Sequence, residues 1–477
     1  MSSEARYLSQ KRRAKTRFKF TPLGRIEVPV PARRFALIAL FLLVLAAGIV
    51  WAASRVRVVG PSEAGPEAAA EVTARNGFEA EIAERAKAPS TVDYRRLDER
   101  LRRLAERPTM VGLAVGVIEN GEIRFLQGYG TTASDNQEPV SVDTVFRWAS
   151  LSKGVAGDMV ALLAQDGKLS LRDPVGRWAS SLRLPNGAEQ IASLEDVLSH
   201  RLGLAGHAQD SKLEDNMDPR FLRSSLATLN PICPPANCHA YQNVAFDAAS
   251  EVVERVTGQP YRDVVRERLF APLGMNSASM TRAELMAARS WARGHAGGRS
   301  SRPIDIAEPY YRVPAAGGVN SSIKDLTLWM RAQMGLAPDV LSPQLLQAVQ
   351  RPLVPTPGEN RRKRKYAERI GNSAYGLGWR SYDYAGRRVV GHHGGVRGYR
   401  SLIMFDPERK SGVVALWNSS ASQPNGIEFE VMDMIYGLPF RDWMELDTAP
   451  GAAAPAPAAA EENEAGNVTA NVTANAQ

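Results

Sequence analysis

The stretch Val145-Phe-Arg-Trp-Ala-Ser150-Leu-Ser-Lys153-Gly-Val-Ala-Gly-Asp-Met-Val160 decides how the rest of the chain is read. Apolar residues after Ser150 recur at helical spacing. Ser150 therefore falls near a helix N-terminus, with Lys153 one turn on and on the same face. That geometry suits a nucleophile. A partly desolvated ammonium shifts towards neutrality and can accept the hydroxyl proton, while the helix dipole favours developing negative charge. Spacing alone decides little, because roughly one S-x-x-K is expected by chance in a chain of this composition. A second is present, Ser321-Ser-Ile-Lys324. Partners must separate the two.

Downstream, Tyr241-Gln-Asn243 opens a helical stretch, Val244 to Thr257, that stops at Gly258. Gly391-His-His-Gly-Gly395 follows a strand-like run, Arg387 to Val390, and leads through Gly398 to another strand. Adjacent histidines do not easily share one ion, and no carboxylate–histidine cluster surrounds them, so neither a metal site nor a cofactor is expected. The glycines imply an edge where a substrate backbone approaches closely.

Together these segments resemble the three motifs of the serine β-lactamase and penicillin-binding superfamily, in its class C branch. The carriers are Phe146 to Lys153, Tyr241-Gln-Asn243 and His392-His-Gly394. Supporting segments come in the same order: Asp196-Val-Leu-Ser-His200 with Gly203-Leu204, Leu269 to Met275, Ala316-Gly-Gly-Val-Asn-Ser-Ser322 with Asp325, and Tyr375-Gly-Leu-Gly-Trp379. The resemblance implies roles. Ser150 attacks an acyl carbonyl, Lys153 and Tyr241 share proton transfer, and Asn243 holds the substrate amide. The backbone N–H groups of Ser150 and Gly395 form the oxyanion hole, with Gly394 beside them. It also places Ser321 and Lys324 in a structural loop-to-helix turn.

Two departures stand out. His392 occupies the place of a lysine found in class C β-lactamases, and a histidine is mostly neutral at pH 7. Members with histidine there include D-peptidases, D-amino-acid-releasing enzymes and esterases; Arg397 and Arg400 are candidates for a replacement cation. Arg201-Leu202 replaces small polar residues in a supporting loop. Cys233 and Cys238, with four residues between them and three before Tyr241, are expected to form a disulfide that stiffens the approach to Tyr241. His200, His207, His239 and His295 are expected to be structural or surface residues, and Arg361 to Lys365 a solvated loop.

The flanks complete the domain plan. The chain has 477 residues, of which 44% are hydrophobic and 23% charged, enough for a sizeable core. Tyr94, Leu97, Leu101 and Leu104 recur at helical spacing, and Val111–Ile118 and Ile123–Leu126 flank an Asn120-Gly121 turn suited to a hairpin. Late strand-like runs cover Arg387–Val390, Arg400–Phe405 and Val413–Trp417, before an apolar helix, Ile427–Tyr436. The expected class is α+β, β-lactamase/transpeptidase-like: an antiparallel sheet of N- and C-terminal strands flanked by helices, plus a mostly helical subdomain.

The formal charge of +8 sits wholly in residues 1–34, with ten Lys/Arg against two acids, while the remaining 443 residues carry 49 of each sign. No nucleic-acid partner is expected. Phe35 to Ala53 is nineteen residues without a charge, roughly 28 Å as a helix, which reads as a membrane span at 35–54. The basic flank then puts the N-terminus inside and the catalytic domain, 94–440, in the periplasm, joined by a stalk at 55–93 and followed by an Ala/Pro-rich tail at 441–477. The expected activity is that of a membrane-anchored serine hydrolase on an amide, ester or β-lactam bond of a small-molecule or peptide substrate. D-peptidase or esterase action is the alternative, and a non-turnover sensor the competing class; oligomeric state is left open.

Overall fold

The computed structural model describes residues 80, 82, 84 and 89–447. Helix α1 (Tyr94–Ala105) begins at Asp93, whose side chain accepts from the Arg96 N–H, and buries Leu97, Leu101 and Leu104. Strands β1 (Gly112–Glu119) and β2 (Glu122–Gly130) follow. Their turn uses left-handed backbone at Asn120 and Gly121, φ +53° and +85°, the hand that matches strand twist. After β3 (Val145–Arg147) comes α2 (Ser152–Gln165), and the helical middle includes α3 (Ala248–Thr257). Strand β4 (Asn320–Ser322) pairs with β3 and feeds α4 (Ile323–Arg331).

The late chain supplies β5 (Val354–Pro355), β6 (Ile370–Tyr375), β7 (Arg380–Tyr384), β8 (Arg387–Val396), β9 (Tyr399–Asp406) and β10 (Ser411–Trp417), closed by α5 (Ile427–Tyr436). The sheet order is β2-β1-β10-β9-β8-β7-β6-β5, every pair antiparallel. Early and late strands thus share one sheet, as expected, with Val115 opposite Ala415 and Val117 opposite Val413.

Both faces of this sheet are covered, which explains why β1 and β10 read as continuous apolar runs. Leu113, Val115, Val117, Leu402 and Met404 join a core under α1 and α5. Ala114, Ile118, Ile403, Phe405 and Leu416 join the larger core around α2. Helix α2 is buried from Ser152 to Leu163, so it has no polar face to lend an amphipathic pattern. It lies close to the Tyr375–Trp379 segment: a Cβ at Gly157 would stand 2.1 Å from the Leu377 carbonyl oxygen.

Three expectations change. The histidine–glycine segment does not follow a strand but forms part of one, because β8 pairs with β9 from Val390 to Val396. Packing also continues past 94 and 440. Ser90 and Thr91 bond Glu119, while Met444 and Leu446 are buried and Arg100 pairs with Asp442. The single-pass location in the cytoplasmic membrane, with a periplasmic domain, is withdrawn. Among the described residues no helix is long and apolar enough to cross a membrane, and the longest α-helix, α2, has 14 residues, roughly 21 Å, short of a hydrocarbon core. The apolar stretch at 35–54 lies outside the described residues, as do the basic segment 1–34, most of 55–93 and the tail from 448.

Candidate active site

Ser150 is carried on a sharp turn between β3 and α2. Ala149 takes a left-handed backbone, φ +50°, and the Trp148 carbonyl is held by the Ser401 hydroxyl at 2.6 Å. A non-glycine residue there costs on the order of 1 kcal/mol, which the flanking strand and helix must offset. Ser150 remains partly exposed, whereas Lys153, one turn on, is fully buried.

The Lys153 ammonium meets three acceptors: Ser150 Oγ at 3.3 Å, Asn243 Oδ1 at 2.7 Å and the Ala316 carbonyl at 2.9 Å. Burial pulls its pKa down to about 7, against the opposing pull of Asp210 and Asp247. Asp247 accepts from the Ala315 N–H and pairs with Arg223 at 2.7 Å, which fixes the turn that presents the Ala316 carbonyl. Asn243 donates its amide to Asp210 at 2.6 Å, and this orients Oδ1 towards the lysine. Asp210 also bonds His207 at 2.9 Å.

The Lys153 nitrogen lies 4.7 Å from the centroid of the Tyr241 ring. Desolvation pushes the Tyr241 phenol up, and the Ser150 side chain beside it pulls part of the way back. The phenol therefore keeps its proton at neutral pH. An amine whose pKa lies near neutrality, a protonated phenol and a partly exposed hydroxyl in one pocket can accept, relay and return a proton.

The sheet supplies the opposite wall. His392 and Gly394 face this pocket, while His393 faces away and bonds Glu428 of α5 at 3.0 Å. A Cβ at Gly394 would stand 2.1 Å from the Trp148 carbonyl oxygen and 3.1 Å from the Ser150 nitrogen, so only glycine lets β8 lie this close. Gly395 is exposed, and its nearest would-be contact is Arg400 Cδ at 3.3 Å. Strand β7 pairs with β8 only as far as Gly391, so β8 presents an edge unpaired by β7 from His392 onward.

His392 is buried and does not stand free. Its Nε2 lies 2.9 Å from the Tyr375 hydroxyl, which lies 3.2 Å from His200 Nε2. Burial pushes both imidazoles well below the ordinary histidine pKa. Tyr375 and His200 are participants that motif chemistry passed over, as is Asp210. The only sequence signal for Tyr375 and His200 was position inside the Tyr375–Trp379 and Asp196–His200 segments, and Asp210 had none, because the partners that draw them into the site are far away along the chain. Of the other histidines, His295 is buried and bonds the Asn418 carbonyl, and His239 packs against Tyr375.

Arg400 donates to the carbonyls of Val396 and Tyr399, bracing the β8–β9 turn, and Arg397 is exposed on that turn. Arg361 to Lys365 forms helical turns rather than a loop, with Lys363 paired to Glu428 and Lys365 to Glu445. Cys233 and Cys238 are joined in a disulfide, Cα atoms 6.4 Å apart. Ser321 is fully buried, accepts from the Trp148 indole and donates to the Ser322 carbonyl. Among the described residues no cluster of metal-ligating side chains occurs.

The β-lactamase family model matches residues 97–431. The chain belongs to the β-lactamase family. An unguisins hydrolase of Aspergillus campestris is 30% identical over 327 residues, which is 65% of this chain and 59% of that protein. Penicillin-binding protein 4 of Amycolatopsis lactamdurans is 26% identical, covering 68% of this chain and 84% of that one. The octameric penicillin-binding protein homologue from Pyrococcus abyssi shares the fold, with a TM-score of 0.65 and 23% identity over 73% of this chain and 78% of that chain. The chain thus spans about three fifths of the length of the fungal relative.

Proposed function

We propose that the protein hydrolyses an amide or ester bond through an acyl-enzyme on Ser150. The observation that carries this is the fully buried Lys153 ammonium, 3.3 Å from Ser150 Oγ and drawn towards neutrality by burial. Ser150 Oγ bonds to the acyl carbon as its proton passes to Lys153 Nζ. The carbonyl electron pair moves onto oxygen, facing the backbone N–H groups of Ser150 and Gly395. When that pair returns, the bond to the leaving nitrogen or oxygen breaks. Tyr241 gives the leaving atom its proton and is resupplied from Lys153. Water then repeats the sequence on the ester, releasing the acid and free Ser150. Asn243 holds the lysine and the substrate amide.

A neutral His392 speaks for an ester, or for a D-peptide cleaved at its amino end, over a β-lactam or a C-terminal D-alanyl peptide, whose carboxylate it would not meet with a charge. A tagged fluorophosphonate followed by peptide mass spectrometry tests the assignment. The adduct is expected on Ser150 alone and absent from Ser150→Ala. An adduct on Ser321 in the unaltered protein would overturn it. A chromogenic cephalosporin, a short acyl ester and a D-alanyl peptide, compared side by side, rank the substrate classes.

A further inference from the structure

The hydrogen bonds around His392 leave no choice of proton positions. A backbone N–H only donates, so His200 Nδ1, 3.2 Å from the Gln242 nitrogen, is an acceptor. A carbonyl only accepts, so His392 Nδ1, 2.7 Å from the His393 oxygen, carries a proton. The Tyr375 hydroxyl stands between the two rings. One arrangement then satisfies every atom: His200 Nε2–H donates to the Tyr375 oxygen, and the Tyr375 O–H donates to His392 Nε2.

The three side chains are 0%, 0% and 3% exposed, so water does not replace a lost partner. A second proton on His392 would set two N–H groups against one phenol oxygen and leave the buried O–H with no acceptor. The chain of bonds starts at the residue between Tyr241 and Asn243 and ends between His392 and Gly394. It therefore ties the helical wall of the site to β8.

Two other cations nearby are already engaged. Arg380 pairs with Glu359 and lies over the rings of Tyr241 and Tyr375, and Arg400 is bonded to its hairpin. We propose that His200 and Tyr375 are positioning residues that lock His392 as the neutral Nδ1–H tautomer, and that the β8 wall consequently selects substrates with no negative charge beside the scissile bond. The selectivity half rests on the acyl-hydrolase reading; the tautomer half does not.

Nitrogen NMR of histidine-labelled protein tests the lock directly. His392 is expected to show an amine-type Nδ1 and an imine-type Nε2 that persist from pH 5 to pH 8. The charged and titratable groups around it are Lys153, Arg380, His200, Tyr241 and Tyr375, with His393 on the opposite face of β8, and none of them supplies a carboxylate to hold a second proton. In Tyr375→Phe the tautomers are expected to mix and His392 to titrate within that range. A doubly protonated His392 at pH 7 in the unaltered protein overturns the proposal, whatever the variant does.

Selectivity is read on two esters of one acyl group, whose leaving alcohols differ only in a carboxylate or its methyl ester. The neutral ester is expected to be favoured about tenfold in kcat/KM, His392→Lys to reverse the order, and Arg397→Ala to leave it unchanged. Preference for the carboxylate overturns the selectivity half. Hydrolysis of neither ester overturns it together with the acyl-hydrolase reading, while the NMR result stands apart.

Discussion

Ser150–Lys153 and Ser321–Lys324 share a spacing and a setting, yet the fold treats them in opposite ways. Each serine lies at a junction between a short strand and a helix, and the two strands pair, with Phe146 opposite Ser321. At the first, the serine is partly exposed and the lysine fully buried; at the second, the serine is fully buried and the lysine half-buried. Ser321 spends its hydroxyl on the Ser322 carbonyl and accepts the Trp148 indole, so it braces the turn that presents Ser150. Spacing puts a lysine within reach of a serine. In the proposed mechanism it is burial of the lysine rather than the serine that makes the pair reactive.

Exchanging the lysines should separate the two motifs most sharply. Lys153→Met is expected to lower kcat/KM by roughly 10³- to 10⁴-fold, as loss of a general base does, while Lys324→Met stays within a few-fold in the same ester assay. Near-equal losses would mean that the motifs are not distinguished by their surroundings. Gly394→Ala, which drives a Cβ into the Trp148 carbonyl, should cost about 10²-fold, whereas Gly395→Ala, with its nearest contact at 3.3 Å, should cost little.

The pH profile isolates the buried lysine. Its pKa is lowered to about 7, so the neutral, proton-accepting form grows as pH rises. Below about pH 7 the rate should climb tenfold per unit and then level off. Stability carries the same sign: the unfolded chain holds a proton on Lys153 up to its ordinary pKa of 10.5 and the folded protein does not. This group therefore makes stability rise with pH between about 7 and 10.5, and Lys153→Met should flatten that rise in thermal melts.

Smaller effects belong to the supporting pieces. Ser321→Ala should keep the fluorophosphonate adduct and lower stability by about 1–3 kcal/mol in urea titration, because the Trp148 indole loses its buried acceptor. The bond between Cys233 and Cys238 closes a short loop in the unfolded chain, and reducing it should cost about 2 kcal/mol. Alkylation without reductant should leave the mass unchanged, and two alkyl additions would contradict the bond.

Much of the fold was readable because its signals are local. The Asn120-Gly121 turn, the periodic leucines of α1 and the apolar helix at Ile427–Tyr436 each follow from neighbours along the chain. Strands β6 and β7 were not readable. Ile370-Gly-Asn-Ser-Ala-Tyr375 and Arg380-Ser-Tyr-Asp-Tyr384 carry too many polar residues to show a buried-strand pattern, and pairing alone makes them strands. The same holds at the site. Ser150, Lys153, Tyr241 and His392 are candidates that motif singles out, whereas Asp210, His200 and Tyr375 gain their meaning from hydrogen bonds to residues far off in the chain.

Residue order by itself determined the family, the sharing of one sheet by early and late strands, and the chemical groups available to the reaction. Tertiary structure decided which serine is exposed, which lysine is stripped of water and where the proton on His392 sits. Charge state and reactivity depend on what surrounds a group within a few ångströms. Those neighbours arrive from Asp210, Ala316 and Tyr375, distances along the chain that no local pattern spans.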